Sequence, residues 1–197
     1  MLPRLRLVKM SCCLLIGHLS TSPVFAQPDL QTTILAEKAV QELPPGPLFW
    51  RVETIGPENK DSAAPMSLVG VVSGEVWLVT LGPMGSATVG ATKLIEIGPV
   101  QAAQAARYVL SLGRVRGANT ANVAKPISSE SSAFFVLKGR LGFATPRRTT
   151  HRGAGQGVAL AGDGPTRIFN AGPGDLAAFV MSIDTADDAS ARKQPAL

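Results

Sequence analysis

Few residues in this chain are equipped for chemistry. His18, Cys12 and Cys13 all precede Ala26, so beyond that point the only imidazole is His151 and there is no thiol. An imidazole titrates near neutral pH and can serve as acid or base, but His151 has no carboxylate near it in the sequence. Its neighbours are Arg147, Arg148 and Arg152. That basic loop can draw an anion to a rim, and it serves equally as a charged loop that keeps a surface solvated. No Gly-x-Ser-x-Gly elbow is present, so a hydrolase triad has nothing to rest on. The glycine runs at Gly85–Thr88 and Gly153-x-Gly155-x-Gly157 have the composition of phosphate loops. Neither follows a strand and opens a helix, as such a site requires, and both read as turns.

The start of the chain has a different use. Arg4, Arg6 and Lys9 precede the apolar run Met10–Leu19, which leads to Pro23-Val24-Phe25-Ala26. A basic segment, a short apolar segment and small residues at the cut form a secretory signal, with cleavage expected after Ala26. The apolar run is about half of what a spanning helix needs, so no membrane span is expected in the mature chain. Without this leader, 16 of the 19 Lys and Arg remain against 14 Asp and Glu, and the net charge falls from +5 to +2. The basic character is mainly a targeting feature and argues against nucleic acid as a partner. The absence of cysteine after Ala26 excludes a disulfide staple and a cysteine-ligated metal, so the fold rests on burial.

The elements that must position these residues read mostly as strands. Leu30, Ile34, Leu35, Ala39, Val40 and Leu43 have helix-like spacing, ended by Pro44-Pro45-Gly46, which predicts a short amphipathic helix over Asp29–Leu43. The period then changes to two at Trp50, Val52 and Thr54. Runs 68–72 and 75–81 flank Ser73-Gly74, a hairpin turn in which the glycine can take positive φ. Further strands are expected at 92–97, 107–115, 133–137, 141–144, 158–160, 166–170 and 176–183, with a helical turn at 100–106 and a disordered tail over 185–197. Short strands joined by glycine turns, with no helix long enough for crossovers, predict one antiparallel sandwich or barrel over 27–184.

At Ala133-Phe134-Phe135-Val136-Leu137-Lys138-Gly139-Arg140-Leu141 the chain resembles the strand, glycine turn and strand of the first cupin motif. Gly155 followed by Ala161-Gly162-Asp163-Gly164-Pro165-Thr166-Arg167-Ile168-Phe169-Asn170 resembles the second. The resemblance spans roughly 107–184. It departs from the family where metal-bearing members carry ligands: their Glu falls on Ser132 and their last His on Thr166. Their His-x-His pair falls on Pro126 and Ser128, or on Lys125 and Ile127. Hydroxyls are weak donors to a divalent transition metal, so the resemblance implies a pocket without metal or other cofactor.

The resemblance therefore implies an all-β, cupin-like antiparallel jelly-roll barrel with a short N-terminal helix, secreted or periplasmic. Its pocket would be lined by Ser128, Ser132 and Thr166, with Glu130 and His151 within reach, and would bind a small polar molecule or a protein partner without catalysis. The alternative is a cupin-type enzyme, a dioxygenase or an isomerase or epimerase, with a non-standard pocket in which only His151 and Tyr108 stand in for the usual acid and base. A homodimer paired through strand edges is a third, structural reading. The leader makes a direct prediction: mass spectrometry of the exported protein should find Gln27 as the first residue. Material recovered from the envelope with Met1–Ala26 intact would remove the signal-peptide reading.

Overall fold

The computed structural model describes residues 30–58, 64–118, 131–160 and 166–193. Among these the chain forms β1 (Gln31–Val40), β2 (Leu48–Ile55), β3 (Ser67–Val72), β4 (Glu75–Gly82), β5 (Ala91–Val100) and β6 (Tyr108–Gly117). It continues with β7 (Ser132–Lys138), β8 (Arg140–Ala144), β9 (Thr149–Gly153), β10 (Gly157–Ala159), β11 (Arg167–Asn170), β12 (Leu176–Thr185) and α1 (Ala186–Lys193). The strands make three antiparallel sheets, ordered β1-β6-β12-β7-β10, β3-β4-β2-β5 and β11-β8-β9. The protein is all-β, as its alternating patterns predict.

The five-stranded sheet is the middle layer, because both of its faces are buried. On β12, Phe179, Met181 and Ile183 enter one core, shared with Trp50, Val52, Trp77, Val79 and Leu81 of the four-stranded sheet. Leu176 and Ala178 enter a second core, shared with Leu141 and Phe143 of β8 and Ile168 of β11. β7 divides the same way, with Ala133 and Phe135 in the first core and Phe134 and Val136 in the second. Period two sends successive side chains to opposite faces, so an apolar run such as Phe134-Phe135-Val136 fills two cores at once. Trp77 stands edge-on to Phe179 at 5.1 Å, and Phe134 edge-on to Phe143 at 5.3 Å, so each core holds an aromatic pair.

Three local expectations are corrected. Where a helix is predicted over Asp29–Leu43, the chain forms β1, paired with β6 from Gln31↔Arg116 to Val40↔Tyr108. The register shifts between Ile34 and Ala36, and a bulge there lets Leu35, Ala36 and Val40 all pack on the first core. The bulge produces helix-like apolar spacing in a strand, and the free edge of β6 supplies the hydrogen-bonded partner that decides the outcome. At the other end, part of the expected tail is α1. Thr185 Oγ1 accepts from the Asp188 N–H at 3.2 Å and donates to Asp188 Oδ2 at 2.7 Å, which caps the helix. Residues 100–106 contain no helical turn; Ala102 and Ala105 pack against the first core instead.

The turns follow the glycines. Ser73 and Gly74 have φ of 55° and 87°, the two positive values of a type I′ hairpin. Gly139, at φ 81°, joins β7 to β8 across two sheets, and a Cβ there would lie 2.5 Å from the Asp175 carbonyl oxygen and 3.2 Å from Leu176 Cα. Around Gly74 a Cβ would meet nothing within 4 Å. Gly74→Ala should therefore cost only the left-handed backbone strain, about 1–2 kcal/mol. Gly139→Ala should cost clearly more, since backbone must also move. Urea unfolding of the two variants checks the order, and equal losses would contradict it.

Candidate functional site

Ser111, Ser132, Thr166 and Asp184 lie toward one end of the second core, while Asn170, at the other end of β11, is tied to the Ala118 and Gly174 carbonyls. Ser132 begins β7 on the face of Phe134 and Val136, and it is 3% exposed. Opposite it on β12 is Ser182, opposite Ser182 on β6 is Ser111, and opposite Ser111 on β1 is Glu37. Directly paired residues point to the same side of a sheet, so these four make a polar row across the middle layer. The Ser182 hydroxyl donates to Asp184 Oδ2 at 2.9 Å, and the Ser111 hydroxyl to Glu37 Oε1 at 3.5 Å. Asp184 is buried, two residues along the same face of β12.

Thr166 approaches from the facing sheet. It immediately precedes β11, shares the inward face with Ile168 by alternation, and is 2% exposed. Arg167 pairs with Ala144 at the far end of β8 from the Gly139 turn, and Ser132 lies at the far end of β7 from the same turn. The two hydroxyls thus face the same interlayer space from opposite sheets at the same end. Glu37, Ser132, Thr166 and Asp184 all have polar partners. Ser128 and Glu130 lie outside the described residues. The sequence does not single out Ser111, Ser182 or Asp184, although the alternation of Met181-Ser182-Ile183-Asp184 carries the signal for the last two.

His151 stands apart from this end. On β9 it pairs with Gly142 of β8, whose neighbours Leu141 and Phe143 point inward, so His151 points outward and is exposed. Phe169 of β11 also pairs with Gly142, lies over it where a Cβ would collide, and meets the imidazole edge-on at 6.0 Å. The expectation that His151 reaches the pocket is corrected by strand parity: one residue of shift would have turned it inward. Arg148 and Arg147 lie in the exposed loop between β8 and β9, and Arg152 Nη1 donates to the His151 carbonyl at 2.8 Å. Among the described residues no three His, Cys, Asp or Glu side chains lie together as a metal-holding group.

One buried charge has a different use. Glu53 of β2 is fully buried on the outer face of the four-stranded sheet. Its Oε1 accepts from the Thr88 N–H and its Oε2 from the Thr88 hydroxyl, both at 2.7 Å, while Arg51 Nε lies 3.3 Å away. Two charge-assisted hydrogen bonds and a cation compensate the buried carboxylate. Their effect is to strap residues 83–90 across the sheet. Glu96 adds to this, accepting from the Gly85 N–H at 2.9 Å and pairing with Lys93 at 3.0 Å. Burial acts to raise the Glu96 carboxyl, but the Gly85 hydrogen bond and the charges of Lys93 and Arg51 outweigh it and hold the group below its ordinary value. A depressed carboxylate stabilises the fold above its unfolded pKa and loses that contribution as the pH falls through the folded one, so acid loosens the strap.

The fold and site define an all-β protein of antiparallel sheets with a hydroxyl-lined core end. No family model and no curated protein matches the chain. Among solved structures it is similar to the cupin domain of an XRE family transcriptional regulator from Enterobacter cloacae, at 19% identity and a TM-score of 0.33, covering 38% of this chain and 80% of that one. It is also similar to an RmlC-like cupin family protein with a double-stranded β-helix fold from Methanocaldococcus jannaschii, at 13% identity and a TM-score of 0.36, covering 41% and 75%. A third is a polyketide cyclase from Streptomyces resistomycificus, at 14% identity and a TM-score of 0.33, covering 39% and 60%. These likenesses concern the fold, over about two fifths of the chain.

The Glu53 strap is directly testable. Thr88→Val keeps the side-chain shape and removes one hydrogen bond to a charged acceptor, and it should destabilise the protein by about 1.5–3 kcal/mol. Chemical denaturation measures this. A variant as stable as the parent would show that the Thr88 hydroxyl contributes nothing to the strap.

Proposed function

We propose that the protein is an exported, metal-free, cupin-like binding domain that takes a small polar molecule at the hydroxyl-lined end of its second core, without catalysis. What supports this reading is the burial of two hydroxyls, Ser132 at the start of β7 and Thr166 just before β11, strands that belong to facing sheets. In the sequence resemblance these are the two positions at which metal-bearing relatives hold Glu and His. Hydroxyls there can donate to and accept from a polar ligand, and they lack the basicity to replace the water shell of a transition metal.

His151 lies on the outer face of the three-stranded sheet, which supports binding over the enzyme alternative. That alternative takes its base from an imidazole, and the only imidazole beyond the leader lies outside this end of the core. Export rests on the leader, and Arg147, Arg148 and Arg152, the first two in the loop before β9 and the third on that strand rather than in a loop, are assigned to solvation.

Two measurements on the mature protein test this reading. Elemental analysis of untagged material should return no stoichiometric iron, manganese, nickel, copper or zinc, and chelator should leave thermal stability unchanged. About one such metal per chain, lost together with stability on chelation, would move the reading to an enzyme. A thermal-shift screen of polar small molecules should find one that stabilises the protein, by about 2.7 kcal/mol at a hundred times its dissociation constant. Ser132→Val with Thr166→Val should abolish that shift while leaving the protein folded. A shift that survives the double substitution would place the ligand elsewhere.

A further inference from the structure

The other face of the middle sheet is also polar at one end, the opposite end, and there the groups are cations. Gln31 of β1 pairs with Arg116 of β6, which pairs with Ala177 of β12, which pairs with Lys138 of β7. One rung inward, Arg114 pairs with Phe179, and Phe179 with Phe135. These residues point toward the first core, where Trp77 packs against both Phe135 and Phe179. A cleft opens at this end in two adjoining lobes. One, of about 460 Å³, is lined by Gln31, Arg114, Arg116 and Lys138, with Asp175. The other, of about 380 Å³, is lined by Trp77, Phe135, Arg114 and Lys138, with Glu75. Arg114 and Lys138 border both.

The charges in this cleft are not balanced. Lys138 has a partner, Asp175, at 3.6 Å, in a pair exposed to solvent. Among the described residues no carboxylate pairs with Arg114 or Arg116. Arg114 is half-buried, and its Nε is wholly shielded without a hydrogen-bond partner. Trp77 is 7% exposed, and its indole Nε1 is likewise buried and unpartnered. Removing a donor from water without a replacement acceptor is costly, and for a cation more so. Native folds keep such groups mainly where something else completes them. Burial and the like charge of Arg116 together push the Arg114 guanidinium below its ordinary value, as expected for a cation that lacks a counterion.

We propose that this cleft is a second binding site, for a small molecule that joins a carboxylate to a flat apolar body. The carboxylate sits in the lobe of Arg114 and Arg116, and the apolar body lies in the lobe walled by Trp77 and Phe135. Guanidinium is the group best matched to a carboxylate, through paired N–H donors. In the arginine lobe Asp175 is already paired with Lys138 and two guanidinium groups remain, whereas the aromatic lobe has Glu75 at its rim, and this sets the orientation. This site is separate from the hydroxyl end of the second core and does not depend on its role.

The test uses 2-naphthoate and its neutral analogue 2-naphthamide, titrated into the mature protein by calorimetry and followed by tryptophan fluorescence. Naphthoate should bind one per chain with a dissociation constant below about 1 mM and change the emission, which comes from only two residues, Trp50 and Trp77. Naphthamide should bind at least about fivefold more weakly, as should naphthoate to Arg114→Met, since each change removes one charged partner of a hydrogen bond. Unliganded Arg114→Met should be no less heat-stable than the parent, because an uncompensated charge has been removed. If that variant fails to fold, Arg116→Gln, altered at an exposed position, should show the same loss of affinity. Ser132→Val with Thr166→Val should leave naphthoate binding unchanged. The proposal is overturned by a folded parent that shows no naphthoate binding, by a naphthamide or arginine-variant loss of less than fivefold, or by binding that the Ser132 and Thr166 substitutions abolish.

Discussion

The register of β12 governs the rest of the molecule. Along its ten residues it pairs with β6 on one side, and along six of them with β7 on the other. Its odd-numbered residues Phe179, Met181 and Ile183 complete the first core, and its even-numbered Leu176 and Ala178 complete the second. A slip of one residue would exchange the two sets and put Phe179, which is fully buried, into a space shaped for Ala178. Both neighbouring strands would lose their partners with it. In a sheet wet on one side such a slip exposes one face; here it disrupts two cores.

The same parity sets where the molecule can be polar. The strands β12 and β7 of the middle sheet are largely buried on both faces, and the polar side chains lie toward opposite ends of those two faces. On the second-core face they are Ser111, Ser132, Ser182 and Asp184 at one end; on the first-core face they are Arg114, Arg116 and Lys138 at the other. In the first group the hydroxyls meet carboxylates, Ser182 donating to Asp184 and Ser111 to Glu37. The second is cationic, with two unpartnered buried donors. One sheet thereby carries two chemically different polar ends, on opposite faces, that share no residue.

The outer face of the four-stranded sheet solves the opposite problem. Leu78 and Glu53 lie side by side on adjacent strands there, and both are almost completely buried. Residues 83–90 cross this face as a loop, and a loop brings unpaired backbone N–H groups with it. Glu53 accepts from one of them at Thr88, and Glu96 from another at Gly85. The carboxylates thus tie the loop to the sheet, and Glu53 is wholly buried with both oxygens hydrogen-bonded.

Much of this was legible in the residues. Period-two runs marked the strands, Ser73-Gly74 and Lys138-Gly139 marked the turns, and one imidazole with no thiol after Ala26 already limited the chemistry. These are local properties: each depends on a few consecutive residues and their intrinsic backbone preferences. What the sequence could not settle was long-range. β1 became a strand because the free edge of β6, some seventy residues away along the chain, offered it a hydrogen-bonded ladder. His151 turned outward because its register against Gly142 fixed its parity. Arg114 and Trp77 met because two sheets stacked. Alternation tells which residues share a face, but only pairing between strands distant in sequence decides which face is buried, and against what.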